Sequence, residues 1–128
     1  MKPRYVLPVF SLCMALTMQP SFSQNLTLSK NISYLSARKQ LLSQGWKPVI
    51  RGNTWNMDFN KEVDLRYRAN GVGEFWGCNG IGNNICYFYF KNKTGTLLQV
   101  GVLGGTKPTL KSKVNGWSIV NSIQDFDF

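Results

Sequence analysis

The hydrophobic positions of the chain change from a helical to a strand-like period along the sequence. In the first stretch they recur at steps of three and four residues, at Tyr34, Ala37, Leu41 and Leu42. This spacing predicts an α-helix with one apolar face. Asn31 or Ser33 can cap its start, and Gly45 can end it in a left-handed conformation, with Pro48 preventing its continuation. We expect Trp46 to fold back onto the end of this helix.

Residues 56–71 carry two patterns at once. Phe59, Val63 and Tyr67 have helical spacing, whereas every second residue from Val63 to Ala69 is apolar, as in a strand. We interpret this stretch as a short helix that ends at Gly71.

The rest of the chain has the composition of a β-sheet. Strands are predicted over residues 85–90, 96–102 and 110–120, which are rich in aromatic and β-branched residues. Residues 92–95 form the turn of a hairpin, and Asn115-Gly116 is a point where the last strand could break. The sequence therefore predicts an α+β fold, with an N-terminal helix and a second short helix packed on a small antiparallel sheet of three to five strands.

The first 23 residues have the three-part layout of a secretory signal. Lys2 and Arg4 form a positive region, residues 5–18 are an apolar run, and Ser21 and Ser23 place small residues at the −3 and −1 positions of a cleavage site. This run is shorter than the roughly 20 apolar residues that a membrane-spanning helix needs. We predict a cleaved signal peptide over 1–23 and one exported domain over 24–128, which is periplasmic or secreted and does not span the membrane.

Cleavage changes the cysteine count. Cys13 would leave with the signal, so that Cys78 and Cys86 remain in an oxidising compartment. We expect these two cysteines to form a structural disulfide.

The remaining charge is strongly basic and unevenly distributed. Without Lys2 and Arg4 the domain has 13 basic and six acidic residues, a net charge of +7. Five lysines follow one another with no acidic residue between them: Lys91, Lys93, Lys107, Lys111 and Lys113. Such a segment favours an acidic protein partner, or alternatively anionic glycan or lipid headgroups. Nucleic acid fits the exported compartment poorly, and general solubility is a further explanation of the charge.

Aromatic residues are the second candidate binding feature. The chain is rich in them for its size, and we select Trp46, Trp55, Trp76, Tyr87 and Tyr89. In a strand, Tyr87 and Tyr89 share one face and Phe88 and Phe90 share the other. One face must be core, and the other either packs under the segments of Trp46 and Trp55 or forms a binding surface.

No catalytic constellation is predicted. The chain has no histidine, which removes the commonest general base and metal ligand. Ser36-Ala37-Arg38-Lys39 and Lys93-Thr94-Gly95 match two signatures of penicillin-recognising enzymes, but the third occurs as Ser29-Lys30-Asn31, in the wrong order, and the chain is too short for that fold. We therefore expect no enzyme activity, metal or cofactor.

Two further groups of residues have structural explanations. Four carboxylates, Asp58, Glu62, Asp64 and Glu74, could include a glycosidase-like pair. Because basic residues are interleaved with them, we interpret them as exposed ion pairs on a solvated face. The glycines of residues 79–84 could bind an anion, but turn geometry explains them better.

Two blocks of the sequence resemble a group of small uncharacterised exported bacterial proteins. The first block reads Tyr34-x-x-Ala37-Arg38-x-x-Leu41-Leu42-x-x-Gly45-Trp46-x-Pro48. The second reads Glu74-x-x-x-Cys78-x-Gly80-x-Gly82-x-x-x-Cys86-x-Phe88. The resemblance implies a bacterial exported α+β domain with the Cys78–Cys86 bridge, and it implies no activity.

These features favour a non-catalytic, protein-binding module of the periplasm. Small size, the bridge and a basic, aromatic surface are typical of an inhibitor or immunity protein that blocks an envelope-targeting toxin or hydrolase. The alternative is a module that binds envelope glycans or anions through exposed Trp, Tyr and Lys side chains.

Overall fold

Two helices and one antiparallel sheet of five strands form the domain. The computed structural model describes residues 26–79 and 84–127. The helices are α1, Tyr34–Ser43, and α2, Asp58–Arg68. The strands are β1, Lys47–Pro48; β2, Phe75–Cys78; β3, Ile85–Lys91; β4, Leu97–Leu103; and β5, Lys113–Val120.

The predicted α+β architecture is confirmed. Neither helix of the described residues is long and apolar enough to cross a membrane. The predicted signal peptide and residues 80–83 of the glycine-rich segment lie outside the described residues.

Strand β3 is central to the sheet. Both β1 and β2 pair with one of its edges, Pro48 opposite Phe90 and Phe75 opposite Phe88. Strand β4 pairs with the other edge, and β5 lies beyond β4. All these pairings are antiparallel, so directly opposed residues place their side chains on the same face of the sheet.

Helix α1 begins and ends as its local sequence predicts. The hydroxyl of Ser33 accepts a hydrogen bond from the backbone N–H of Ser36, and Gly45 has a φ of 93°. The N–H of Trp46 then donates to the carbonyl of Leu41 at 3.0 Å. Gly45 thus allows the left-handed turn that brings Trp46 back onto the end of the helix.

Helix α2 confirms the helical interpretation of its segment. Its buried residues are Asn60, Val63, Asp64 and Tyr67, at steps of three and four. Leu65, which the strand pattern would have buried, is 60% exposed. The core-facing side of α2 therefore includes two polar residues that hydrophobicity does not identify.

Both helices pack on one face of the sheet, which we call the helix face and define by Cys86, Phe88 and Phe90 of β3. Phe88 stacks on Tyr34 with ring centroids 4.0 Å apart, and Tyr67 contacts the edge of Phe88. All three rings are fully buried. Burial of aromatic side chains of this size is the main source of stability in so small a domain.

The last strand differs from its predicted start. Strand β5 begins at Lys113 rather than at residue 110, because Tyr67 and Ser112 hold the preceding loop beside the helices. The hydroxyl of Tyr67 donates to the carbonyl of Gly105 at 2.8 Å, and that of Ser112 donates to the carbonyls of Gly104 and Lys107.

The strand is not broken at the predicted point, Asn115-Gly116: β5 runs without interruption from Lys113 to Val120 and has an irregularity there. Gly101 lies opposite Gly116 and Val102 lies opposite Val114, which leaves Asn115 as an extra residue, a β-bulge.

Candidate binding surface

The predicted disulfide is present. Cys78 of β2 and Cys86 of β3 are directly opposed in the sheet and bonded to each other. Cys86 is fully buried, and the backbone N–H of Cys78 donates to the side-chain carbonyl of Asn60 on α2. The bridge therefore fixes the strand that carries the aromatic residues.

All four arginines of the described residues form ion pairs with carboxylates. Arg38 contacts Glu74, Arg51 contacts Asp125, Arg66 contacts Glu62 and Arg68 contacts Asp64. Three of these pairs have N···O distances below 3 Å, and the Arg66–Glu62 pair, at 3.9 Å, lies on an exposed helix surface.

Glu74 is the most deeply buried of these carboxylates. Its Oε2 accepts hydrogen bonds from the hydroxyl of Tyr34 and from Nε of Arg38, both at 2.6 Å. Its Oε1 accepts from Nη2 of Arg38 and from the N–H of Gly73. Burial and the neighbouring charge of Glu74 raise the pKa of Tyr34 well above its ordinary value. Glu74 therefore joins α1 to β2 through neutral and charged donors.

The interpretation of all four carboxylates as exposed ion pairs is wrong for two of them. Glu74 is fully buried and Asp64 is 2% exposed. Oδ2 of Asp64 accepts from the indole N–H of Trp55 at 3.0 Å and from Nε of Arg68 at 2.7 Å. Both groups hold elements of the fold together.

The C-terminal tail, residues 121–127, is held by Arg51. The guanidinium donates to both carboxylate oxygens of Asp125 and to the carbonyls of Gly52 and Thr54. It also lies 3.4 Å from the centre of the Trp55 ring, a cation–π contact. Trp55 is therefore half-buried under an arginine.

Asp127 docks the same tail on the start of α2. Its carboxylate accepts hydrogen bonds from the backbone N–H groups of Asn56 and Met57 and from the side chain of Asn60. Burial by itself would raise the pKa of Asp127, but these donors and the charge of Arg51 hold the pKa below its ordinary value. The helix start, which lacks a side-chain cap of its own, is thus capped from the far end of the chain.

The tail covers part of the other side of the sheet, the second face, which we define by Ile85, Tyr87 and Tyr89 of β3. Phe126 stacks on Tyr87 with centroids 4.1 Å apart. The N–H of Gln124 donates to the hydroxyl of Tyr89, which is fully buried. Residues 121–127 therefore cover the part of the second face around Tyr87 and Tyr89, where the sequence left open either packing under the segments of Trp46 and Trp55 or a binding surface.

The predicted aromatic binding residues fall into two classes, those that are buried and those that are half-buried at the surface. Trp46 is 5% exposed and belongs to the core, and Tyr89 lies under the tail, so neither reaches a partner. Trp55, Trp76 and Tyr87 are half-buried. Trp76 contacts the edge of Tyr89 and donates its indole N–H to the carbonyl of Val49.

The lysines behave differently from the arginines. All nine lysines of the described residues are exposed, and none of them forms an ion pair with a carboxylate in this part of the chain. Because Arg38, Arg51, Arg66 and Arg68 are paired, the free positive charge of the described surface comes from lysine.

The five lysines predicted as one segment form two separate groups. Lys91 and Lys93 lie at the hairpin end of the sheet, where Lys91 is directly opposite Lys47. Lys113 lies opposite Leu103, with Lys107 and Lys111 in the loop at that end. The seven residues of β4 separate the two ends by about 20 Å.

Among the residues that the structure describes, none covers the part of the second face beside the second lysine group. Ile85, Leu103 and Lys113 lie in one row across β3, β4 and β5, and Leu103 is 42% exposed. The next row has Gly101 opposite Gly116, which leaves a shallow cavity of about 190 Å³. Its polar lining includes Gln99, Asn115 and Ser118. We call this region, Ile85, Leu103, Lys113 and the cavity beside them, the open surface.

The sequence did not identify most of this surface. Alternation along β4 predicts that Leu103 shares a face of the sheet with Gly101 and Gln99. The sequence of the tail has no periodic pattern, so it does not predict which half of that face the tail covers. No protein-family model, no curated protein and no solved structure matches this chain.

Proposed function

We propose that the mature chain is an exported, non-catalytic protein-binding module of the bacterial envelope, an inhibitor or immunity protein directed at an envelope-targeting toxin or hydrolase. The observation that carries this proposal is the separation of charge in residues 26–79 and 84–127: three of the four arginines form close ion pairs that hold the fold together, and the lysines lie exposed on the surface without a carboxylate partner. Unpaired lysines at both ends of the sheet attract an acidic partner and steer its approach.

The open surface supports a protein partner in particular. It combines two aliphatic side chains, the exposed Leu103 and the half-buried Ile85, with the charge of Lys113 and of the nearby loop lysines. Protein interfaces typically have an apolar centre and a polar, charged rim. A partner that is recognised by charge alone would not need the aliphatic part.

The state of the carboxylates also agrees with a non-catalytic role. Glu74 accepts hydrogen bonds from Arg38 and from the hydroxyl of Tyr34, and Oδ2 of Asp64 accepts them from Arg68 and from the indole of Trp55. A general acid must be able to release its proton to a substrate, and a base must accept one. These two buried carboxylates instead hold α1, α2 and the start of β2 together.

Photo-crosslinking tests this proposal at a single position. A photoreactive amino acid replaces Leu103 in the tagged mature domain, and the matched control carries it at Leu65, which is 60% exposed on α2. In envelope extract we expect one crosslinked protein from position 103 that is absent from position 65. Replacing Lys107, Lys111 and Lys113 by Glu should remove that product. Equal labelling at both positions contradicts the proposal.

Binding to glycan or anionic lipid is the second candidate function, favoured by the cavity with Gln99, Asn115 and Ser118 in its lining. Amide and hydroxyl groups beside an aromatic ring suit a sugar. Retention of the domain on peptidoglycan or on anionic vesicles, with no protein crosslinked at position 103, would favour this function. The gene neighbourhood is an independent test, since an adjacent exported toxin gene supports the immunity role.

A further inference from the structure

One stretch of the sheet edge has no strand beside it within residues 26–79 and 84–127. At the start of β5 the edge is occupied by the N-terminal segment: the N–H of Asn31 donates to the carbonyl of Val114, and the N–H of Val114 donates to that of Ile32. On the opposite side of the sheet, the N–H of Phe126 donates to the carbonyl of Trp76. In the part of the chain that the structure describes, residues 115–120 make backbone hydrogen bonds only towards β4.

Apart from the bulge at Asn115, which lies at its start, this uncovered stretch lacks the usual protection of an edge strand. Proteins commonly place a charged residue or a proline at a free edge to prevent pairing with another chain. Residues 115–120 contain neither, although lysine is abundant elsewhere on the surface. Ile119 is 47% exposed, and Trp117, which shares its face of the sheet, is half-buried.

We propose that β5 pairs antiparallel with β5 of a second copy of this chain, so that the two sheets join across a two-fold axis. This dimer is a property beyond the proposed function, because the two aliphatic residues of the open surface, Ile85 and Leu103, belong to β3 and β4. A two-fold contact uses the same residues on both copies. The dimer therefore needs only an edge strand whose backbone groups and side chains can pair with an identical strand.

The side chains select the register. Directly opposed residues must share a face, which places the two-fold axis at a residue rather than between two residues. With the axis at Ser118, the regular residues 116–120 pair completely, and Trp117 of each copy lies opposite Ile119 of the other. With the axis at Trp117, the bulged Asn115 would enter the pairing. The register centred on Ser118 is therefore the one that covers the exposed Ile119.

The charge distribution permits this approach. Each copy carries a net charge of +7 after cleavage, which opposes association in general. The paired residues 116–120 are uncharged, and Lys113 lies outside them. With five residues from each copy the interface is small, so we expect a weak dimer that dissociates on dilution.

Disulfide trapping tests the register. In a Ser118→Cys variant of the mature domain, the two introduced thiols face each other across the axis, and the distance between opposed antiparallel residues fits a disulfide. Cys78 and Cys86 are already bonded to each other. We expect a covalent dimer on oxidation of Ser118→Cys, and a monomer from the control Ser43→Cys, whose residue is exposed at the end of α1.

Sedimentation equilibrium tests the dimer without a new bond. The wild-type domain should show a concentration-dependent mass, and Ile119→Lys should raise the dimer Kd about tenfold or more, because two lysines would be buried against Trp117. Ile50→Lys is the matched control, since Ile50 is also exposed but lies outside the sheet. A wild-type domain that stays monomeric at every concentration overturns the proposal, as does equal trapping through positions 118 and 43. Neither result affects crosslinking at Leu103, which tests the proposed function separately.

Discussion

Nε of Arg38 lies 2.6 Å from Oε2 of Glu74, although the two residues are 36 positions apart in the chain. Arg38 belongs to the first of the two sequence blocks and Glu74 to the second. The pair therefore joins the two blocks in the fold: a buried carboxylate in one is neutralised by the guanidinium of the other.

Removing the charge of Glu74 should destabilise the domain strongly. Glu74→Gln leaves the guanidinium of Arg38, which is 21% exposed, without its carboxylate. We expect the free energy of unfolding to fall by about 3 kcal/mol, measured by urea denaturation. Glu62→Gln is the control, because that side chain is 70% exposed and its pair should contribute less than about 1 kcal/mol. Similar losses from both variants would contradict a structural role for the buried pair.

The domain should lose stability in alkaline solution through two buried tyrosines. Burial raises the pKa of both Tyr34 and Tyr67, and the charge of Glu74 adds to this rise. The folded state therefore keeps two protons that the unfolded chain releases above about pH 10. Their contribution to stability is fully present below that pH and declines as the pH rises further.

The measurement combines tyrosinate absorbance with circular dichroism. We expect Tyr34 and Tyr67 to ionise only as the secondary structure is lost. Tyr34→Phe should reduce the alkaline loss of stability. If these two tyrosines ionise with the pKa of free tyrosine while the protein stays folded, the assignment is wrong.

Docking of the C-terminal tail should depend on Gly77. A Cβ at this position would lie 2.9 Å from Cβ of Phe126, and Gly77 has a φ of 107°. Gly77→Ala should therefore destabilise the domain by about 1–3 kcal/mol more than a glycine substitution with backbone strain alone. Gly95→Ala is the matched control, with a φ of 87° and nothing within 4 Å of the new Cβ.

Hydrogen exchange locates this effect. The amide of Phe126, which is bonded to the carbonyl of Trp76, should lose protection in Gly77→Ala and keep it in Gly95→Ala. Unchanged protection at Phe126 in both variants would show that the tail does not pack over Gly77.

The disulfide should stabilise the domain by restricting its unfolded chain. Cys78 and Cys86 are eight positions apart, and closing so short a loop contributes about 2–3 kcal/mol. Replacing both by Ser should lower the midpoint of thermal unfolding by several degrees. Reduction of the wild-type protein should have a similar effect and should leave the double variant unchanged. A midpoint that does not move under either treatment contradicts the bridge.

The elements that the sequence predicted are those whose signals are local. The Ser33 cap, the left-handed Gly45 and the return of Trp46 involve residues within one turn of α1, and the hairpin of β3 and β4 is joined by a short turn. Strands β1 and β2 were not predicted, because two and four residues are too few to establish a period.

The candidate surface was predictable only in part. The sequence identified the lysines and the aromatic residues, but it could not show that Trp46 is core, that Tyr89 lies under the tail, or that Lys91 and Lys113 are at opposite ends of β4. Each of these facts depends on which distant segments are in contact in the folded structure. The pattern of hydrophobic residues along the chain does not predict such tertiary contacts.

The sequence by itself determined the first helix, the antiparallel hairpin and the pairing of Cys78 with Cys86, because short-range hydrogen bonding and chain composition are sufficient for these features. For the second helix it carried two patterns, and the burial of Val63 and Tyr67 against the sheet decided between them. Only the tertiary structure decided how the charges are used. Arg51 and Asp125, for example, are 74 positions apart and meet only when the tail crosses the sheet. Ion pairs of this kind form where folding brings distant opposite charges together, and the lysines that remain outside such contacts supply the free charge of the described surface.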